Sequence, residues 1–468
     1  MSGRFGSARI AVIHSFIHKE EKLYFWNRIV REEVDIVVGA RSALFAPFNR
    51  LGLIILDEEN DSSYKSGQTP RYHARQVAYI RAKQEKALLV MGSATPSVET
   101  YYQAIRDRFK LFILKERYNK VPMPRFTVID LKQLPEFSRK YPFSDLLVSK
   151  MNEYLKEGHQ ILLFINRRGF SNYIVCKSCG FIFLCRNCHI SLTYHRTSKN
   201  LHCHYCGHTE EEPHSCPKCR SINLVHQGAG TQKVEDILRA VFPDKRTERL
   251  DMDVSRKKGM LEKIIREFTD HTIHILTGTQ IISRGLNFPA VLLSGILYLD
   301  DILNIPDFRS AENVFNLIVQ VGGRAGRDKL PGEVVIQTYL PDHYAIKHAI
   351  NYDLEKFYEE ELALRKELNY PPFIRLIKIT FEGEDQEEVK EVSKKISASL
   401  NGQLKDRKNE VEILGPVSAP LSRIQGKYRY QVLIKAESFK LIREALQTLP
   451  RRENKVNIII DVDPVSLM

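Results

Sequence analysis

No apolar run in this 468-residue chain is long enough to cross a bilayer: the longest of note, residues 289–299, falls well short of the roughly 18 residues a spanning helix needs. No membrane partner is expected. The first 19 residues carry Arg4, Arg9 and His14 through their apolar part and offer no signal-peptide core, so export is not expected and the reading is cytoplasmic. Internal repeats of roughly 20–50 residues and low-complexity tracts are missing too, which argues against solenoid and disordered classes. Cysteine is absent from every position outside residues 176–219. What is present is ordinary for a soluble globular protein: 43% hydrophobic and 27% charged residues, with length enough for about three domains. The charge is less even. Seventy Lys and Arg against 57 Asp and Glu leave +13, a balance that favours polyanionic partners, nucleic acid first.

The eight cysteines form four CxxC pairs, Cys176/Cys179, Cys185/Cys188, Cys203/Cys206 and Cys216/Cys219, separated by 5, 14 and 9 residues. Two thiolates two residues apart sit on one side of a tight knuckle, and two knuckles complete a tetrahedral zinc site. Eight ligands make two closed structural sites. A disulfide framework fits poorly with a large cytosolic chain whose thiols stay reduced, and a catalytic zinc would require an open coordination position. Six histidines share the segment, His189, His195, His202, His204, His208 and His214. With the sites already filled by thiolates, they read as solvated or DNA-facing.

Over the first 340 residues, short apolar stretches alternate with amphipathic ones, the pattern of α/β units around a parallel sheet. Residues 34–38, 53–56 and 88–91 read as buried strands, and so do 161–165, 273–276 and 334–338. The cysteine segment interrupts the second set, entering after residues 167–170 and leaving before residues 228–231. From about residue 374 the order becomes strand (374–381), helix (387–400), strand (411–414), strand (428–434), helix (439–449) and strand (456–460). That βαββαβ sequence suits a ferredoxin-like α+β domain.

In open α/β sheets, ligands bind beyond the carboxyl ends of strands, so the residues that follow each strand carry the candidate chemistry. After residues 53–56 comes Asp57-Glu58-Glu59-Asn60, the arrangement of a Walker B pair: Asp57 would hold Mg²⁺ and Glu58 would orient the water that attacks a γ-phosphate. Gly92-Ser93-Ala94-Thr95-Pro96-Ser97 follows the next strand and looks like a helicase motif that couples the nucleotide site to the strand-binding groove. Gly278-Thr279-Gln280, with Ser283-Arg284-Gly285, places backbone N–H groups and a hydroxyl where phosphates could be met. Last comes Gln320-Val321-Gly322-Gly323-Arg324-Ala325-Gly326-Arg327. Two arginines three apart in a Gly-rich turn suit a clamp on a transferring phosphoryl group, because guanidinium forks match phosphate oxygens.

Together with ARSALF (residues 40–45), DEENDSSYK (57–65), RYHAR (71–75), FINRRGF (164–170), GTQIISRGLNFP (278–289) and DFRSAE (307–312), these motifs resemble the PriA family of primosomal helicases. The likeness runs from about residue 8 to the C-terminus. It implies RecA-like helicase lobes, the first incomplete (1–115) and the second (116–340) interrupted by a zinc-binding insertion (174–224), then a C-terminal DNA-binding domain (345–468). The activity it implies is that of a superfamily 2 ATP-dependent 3′→5′ DNA helicase that recognises stalled or repaired forks and starts primosome assembly. Its implied cofactors are two structural Zn²⁺ and ATP with Mg²⁺. The implied partners are forked and single-stranded DNA, primosome proteins and a single-stranded-DNA-binding protein.

Carried onto this chain, the resemblance gives Asp57 and Glu58 the Mg²⁺ and water roles, Gln320 a nucleotide contact, and Arg324 and Arg327 the arginine fingers. It gives nucleotide–DNA coupling to Ser93, Thr95, Gly278, Thr279 and Gly285. Tyr64, Lys65 and Tyr72, in the aromatic loop 61–75, become stacking and phosphate-contact candidates. It also implies nested zinc sites, one on Cys176, Cys179, Cys216 and Cys219 and the other on Cys185, Cys188, Cys203 and Cys206.

The chain departs from the family in having no GxxxxGK[ST] phosphate loop. Its one Gly-Lys pair, Gly426-Lys427, precedes Tyr428, and Leu421 stands where the first glycine belongs. The family's phosphate loop and N-terminal DNA-binding domains would lie before Met1, and ATP turnover by these residues alone is expected near background. The rival reading is a non-enzymatic zinc-containing DNA-binding and loading module with a relic helicase core. Asn60 stands where the family usually has histidine, Asn287 where aspartate is common and Arg284 where lysine is common.

Overall fold

Residues 160–165, QILLFI, show no alternation of apolar and polar positions, and all six are buried in the strand Gln160–Ile165. Such runs belong to parallel sheets covered on both faces. In the computed structural model this strand is central to a six-stranded, all-parallel sheet. Its order is Thr247–Leu250, Ile275–Gly278, Gln160–Ile165, Val291–Leu297, Glu333–Thr338 and Arg125–Asp130. The structure describes residues 9–14, 17–114, 116, 121–134, 139–140, 143–165, 172–195, 198–227, 234–250, 259–278, 288, 290–326, 331–407 and 409–468. Helix Asp145–Lys156 lays Leu147, Met151 and Leu155, spaced four apart, onto this sheet, and the Ser144 hydroxyl caps it by accepting the Leu147 N–H at 3.2 Å.

The chain divides into two compact units, residues 1–100 and 101–468. The first contains two parallel strand pairs, Ile10–Ile13 with Ile36–Gly39 and Leu53–Asp57 with Leu88–Gly92. Here the expectation of buried strands needs correction. Ile54 and Leu56 pack against Ala74, Ala78 and Ala82 of helix Ala74–Glu85, but the opposite face is open. On it Leu53 is 49%, Ile55 62%, Leu88 64% and Val90 42% exposed. The strand period puts these side chains together on a face that no described residue covers.

In the second unit the C-terminal strands run Val411–Ile424, Lys427–Ala436, Arg375–Gly383 and Val456–Val462 across an antiparallel sheet, with Arg452–Glu453 at its edge. Counted in chain order, the four long strands lie 2-3-1-4, the ferredoxin-like arrangement. Helices Gln386–Gln403 and Phe439–Gln447 supply Val389, Ile396, Leu400, Ile442 and Leu446 to its core. The expected strand 411–414 extends to Ile424, with register shifts past Leu414 and again past Ser418. The expected strand 273–276 lies two residues later, at Ile275–Gly278, where it pairs with residues 161–164. The points where the cysteine segment was expected to enter and leave, residues 167–170 and 228–231, lie outside the described residues. No helix among the described residues is long and apolar enough to cross a membrane.

One buried contact joins the first strand of the cysteine segment, Tyr173–Cys176, to the parallel-sheet lobe. The Tyr173 hydroxyl donates to Asp301 at 2.7 Å, and the neighbouring Asp300 accepts from the Thr338 hydroxyl at 2.7 Å. Burial raises Asp300 and Asp301 each to about 6. A carboxyl whose folded value lies above its unfolded one stabilises the protein while protonated, and that contribution is lost as pH rises through the folded value. We therefore expect Asp301→Asn to gain about 3 kcal/mol on the parent chain as pH rises from about 4 to about 7. Urea midpoints compared across that window check it, and parallel pH profiles would contradict it.

Candidate functional site

The CxxC sequence determines each knuckle's backbone. In all four, the residue after the second cysteine donates its N–H to the first cysteine's carbonyl: Gly180 to Cys176 at 2.7 Å, His189 to Cys185 at 2.8 Å, Gly207 to Cys203 at 3.0 Å and Arg220 to Cys216 at 2.8 Å. Each first cysteine returns a bond from its own N–H to the carbonyl five residues on. The turn needs a left-handed residue just after the second cysteine, with φ of 74°, 53°, 78° and 62° respectively. Glycine meets the demand twice. At Gly180 it also makes room, since a Cβ would lie 2.6 Å from the Tyr339 carbonyl oxygen.

The knuckles close into two four-sulfur clusters, Cys176, Cys179, Cys216 and Cys219, and within the sequence span of that set Cys185, Cys188, Cys203 and Cys206. Sulfur pairs lie 3.6 Å apart in both. A tetrahedral site with Zn–S bonds of about 2.3 Å requires about 3.8 Å, so the donor sets fit zinc with every position filled by thiolate. The environments differ. Cys219 of the outer set is exposed, whereas three inner cysteines are buried in a cluster shared with Tyr370, Leu376, Leu433 and Leu467 of the C-terminal region.

The histidines around these sites divide. His189 and His214 are exposed, as expected. His204 is not: it is 3% exposed, its Nδ1 pairs with the Ser418 carbonyl at 2.8 Å, and its own carbonyl accepts from Gln431 Nε2 at 2.8 Å. The reading of His204 as solvated or DNA-facing is corrected, because its knuckle is pressed onto strand Val411–Ile424.

In the first unit, strand Leu53–Asp57 delivers Asp57 to its carboxyl end, exposed, with the Glu58 N–H on Asp57 Oδ1 at 3.1 Å. Glu58 takes a left-handed φ of 48°, a conformation costly for a residue with a Cβ. Asn60 bridges the two motifs: its Oδ1 accepts from the Ser93 hydroxyl at 3.0 Å and its Nδ2 donates to Thr95 Oγ1 at 3.3 Å. The structure thus gathers Asp57, Glu58, Ser93 and Thr95 around adjacent strand ends.

Glu59, which sequence reasoning passed over, is the anchor beneath them. It is 1% exposed and accepts from Arg75 at 2.6 Å, the Ser97 N–H at 2.5 Å and the Thr100 hydroxyl at 3.0 Å. The signal lay outside its local context, in RYHAR and GSATPS, which both follow a carboxylate run with one acid more than catalysis uses.

The aromatic loop is pinned rather than splayed. The Tyr64 hydroxyl donates to the Asp57 carbonyl at 2.7 Å, and burial, then the nearby Asp57, Asp61 and Glu59, pushes its pKa up. Tyr72 packs edge-on to Phe45 at 5.2 Å. Lys65 is only 7% exposed, and Arg41 donates to the carbonyls of Ser63 and Lys65 at 2.7 and 2.8 Å. Lys65 as a phosphate contact is corrected accordingly: this loop conformation turns it inward.

In the second unit, Gln320 lies half-buried on the last turn of helix Ser310–Gly322, with Arg324 half-buried in the turn beyond. Gly322, the last residue of the helix, makes room for Tyr352, since a Cβ would sit 2.6 Å from the Tyr352 hydroxyl oxygen. Gly278 ends a fully buried strand. Thr279, Gly285 and Arg327 lie outside the described residues.

Two family models match this chain: the primosomal protein N C-terminal domain over residues 366–465, and the PriA DNA helicase Cys-rich region over residues 185–210. The replication restart protein PriA of Bacillus subtilis is 43% identical, the match covering 100% of this chain and 58% of the relative. That of Treponema pallidum is 40% identical over 99% of this chain and 70% of its own length. The chain therefore spans about three-fifths to seven-tenths of these relatives. Among solved structures, Dbp5 of S. cerevisiae bound to RNA and ADP BeF3 overlays at a TM-score of 0.40 with 13% identity, covering 78% of this chain and 75% of that one. RecG bound to a three-way DNA junction overlays at 0.39 with 14% identity, covering 77% and 37%. Neither overlay bears on function. With both cysteine clusters built for zinc and matches of 40–43% along its whole length, the chain belongs to the PriA family of replication restart proteins.

Proposed function

We propose that this chain provides the ATP-coupled and branch-binding parts of a 3′→5′ DNA helicase that recognises stalled or repaired forks and begins primosome assembly. The observation that carries this reading is the Asn60 bridge, which ties the strand end bearing Asp57 to Ser93 and Thr95 of the neighbouring strand's loop. A shift at a bound phosphate would reach both through one side chain. Asp57 would hold Mg²⁺ and Glu58 would orient water, while Gln320 meets the nucleotide and Arg324 and Arg327 balance transferring charge. Ser93, Thr95, Gly278, Thr279, Gly285 and Tyr64 would pass the nucleotide state to DNA.

The proposed division is lobe one over 1–115, lobe two over 116–340 with the zinc module at 174–224, and a DNA-binding domain over 345–468. Forked and single-stranded DNA, primosome proteins and a single-stranded-DNA-binding protein are the proposed partners, in the cytoplasm.

A second reading is a DNA-binding and loading module without turnover, in which the two cysteine clusters and the C-terminal domain would dock DNA and partner proteins. Both readings predict fork binding that weakens at least tenfold between about 50 and 200 mM salt as phosphate contacts release counterions. Binding indifferent to salt would sink both. ATP hydrolysis at background is expected for the chain alone. Fork-stimulated turnover that Asp57→Asn abolishes would eliminate the module reading.

A further inference from the structure

The segment DFRSAE is not used by either reading, and its residues Asp307, Ser310 and Glu312 are buried, at 6%, 6% and 5% exposed. The Ser310 hydroxyl donates to the Ile305 and Asp307 carbonyls of its own segment, whereas Asp307 and Glu312 each face a different part of the molecule. Asp307 Oδ2 accepts the Leu467 N–H at 2.9 Å, near the end of the C-terminal domain, while Oδ1 accepts the Arg309 N–H at 3.0 Å. Glu312 accepts from Arg365 of helix Leu354–Glu367 at 2.7 Å.

Phe308 stacks on Tyr370, ring centroids 4.7 Å apart and planes within 2°. The guanidiniums of Arg309 and Arg365 lie 4.1 and 5.0 Å from the Phe308 ring, and the Lys435 ammonium lies 4.3 Å from that of Tyr370. Cations thus flank both aromatic rings in a pile that runs from lobe two to strand Lys427–Ala436. The Tyr370 hydroxyl then donates to the Cys188 carbonyl at 3.0 Å, within an inner-site knuckle. Immediately after Arg309 begins helix Ser310–Gly322, whose other end bears Gln320 and leads to Arg324.

We propose that residues 307–312, through the Phe308–Tyr370 stack, form a positioning joint that couples the inner cysteine site and the C-terminal domain to the helix Ser310–Gly322. One end of a rigid helix is keyed to the metal module and the other presents Gln320. Coupling of this kind is reciprocal: what loosens the inner site loosens the helix, and the reverse. The inference stands whether or not this chain hydrolyses ATP.

The test uses the full zinc-loaded chain, with zinc release followed by a chromophoric chelator and assigned to a site by alkylation of the freed cysteines. Tyr370→Phe deletes one buried hydrogen bond, so inner-site zinc is expected to leave roughly threefold to tenfold faster while the outer ion is unaffected. Hydrogen exchange over the helix Ser310–Gly322 is expected to rise in the same variant and in Phe308→Ala. Leu147→Ala, a core truncation elsewhere in the lobe, is expected to leave zinc release unchanged. Unchanged inner-site release in Tyr370→Phe would overturn the joint, as would faster release without faster helix exchange. Should Phe308→Ala fail to fold, the isosteric Tyr370→Phe decides alone.

Discussion

Replacing Arg365 by methionine is expected to lower stability by about 3–5 kcal/mol, because it strands two carboxylates in the interior. Arg365 is 2% exposed and donates to Glu312 through Nη2 and to Glu361 through Nε, both at 2.7 Å, with Nη1 on the Pro371 carbonyl at 3.2 Å. Glu361 also accepts the Tyr344 hydroxyl at 2.6 Å. One guanidinium therefore serves two buried acids, and neither can reach water when it is gone. Converting all three groups to apolar or neutral residues, Arg365→Met with Glu312→Gln and Glu361→Leu, is expected to recover most of the loss, since the cost lies in the unpaired charge. Urea unfolding midpoints decide the matter. A loss below about 1 kcal/mol for the single substitution would mean that the acids find other partners or protonate at little cost.

The second large effect separates the two cysteine sites. Cys203→Ser and Cys219→Ser are each expected to leave one zinc per chain instead of two, measured by metal analysis. Their effects on the fold are expected to differ. The inner site shares its buried cluster with Tyr370, Leu376, Leu433 and Leu467, so Cys203→Ser should unseat the C-terminal domain and lower its melting temperature by on the order of 10 °C. Cys219 is exposed at the rim of the outer site, where the loss should stay local. Equal melting shifts in the two variants would contradict the asymmetry, and near-zero zinc in the freshly reduced parent would remove its basis.

Much of this site was legible as spacing. Four CxxC pairs announce four knuckles, and Gly180 and Gly207 mark the left-handed position that closes two of them. His189 and Arg220 occupy the same position without glycine, so composition alone conceals half of the pattern. The place of Asp57 at a strand end was legible because it closes an apolar run. Glu59 was not. Its role depends on Arg75, Ser97 and Thr100, 16 to 41 residues away, and nothing in its local context separates a buried anchor from a third exposed acid.

Length and periodicity by themselves determined the α/β class, the cysteine module and the βαββαβ ending, because strand alternation, buried runs and ligand spacing are set by near neighbours in the chain. Three matters were decided only by tertiary structure. One face of the Leu53–Asp57 and Leu88–Gly92 pair stays open although both segments read as buried, since periodicity reports a residue's preference and not what covers it. Lys65 is buried in a loop whose carbonyls are held by Arg41, 24 residues earlier. Asp307 meets Leu467 across 160 residues and Glu312 meets Arg365 across 53, pairings that exist only once the sheet, the zinc module and the C-terminal domain have closed on one another. A buried charge takes its partner from the folded surroundings, where desolvation makes the contact obligatory, and no spacing rule along the chain records it.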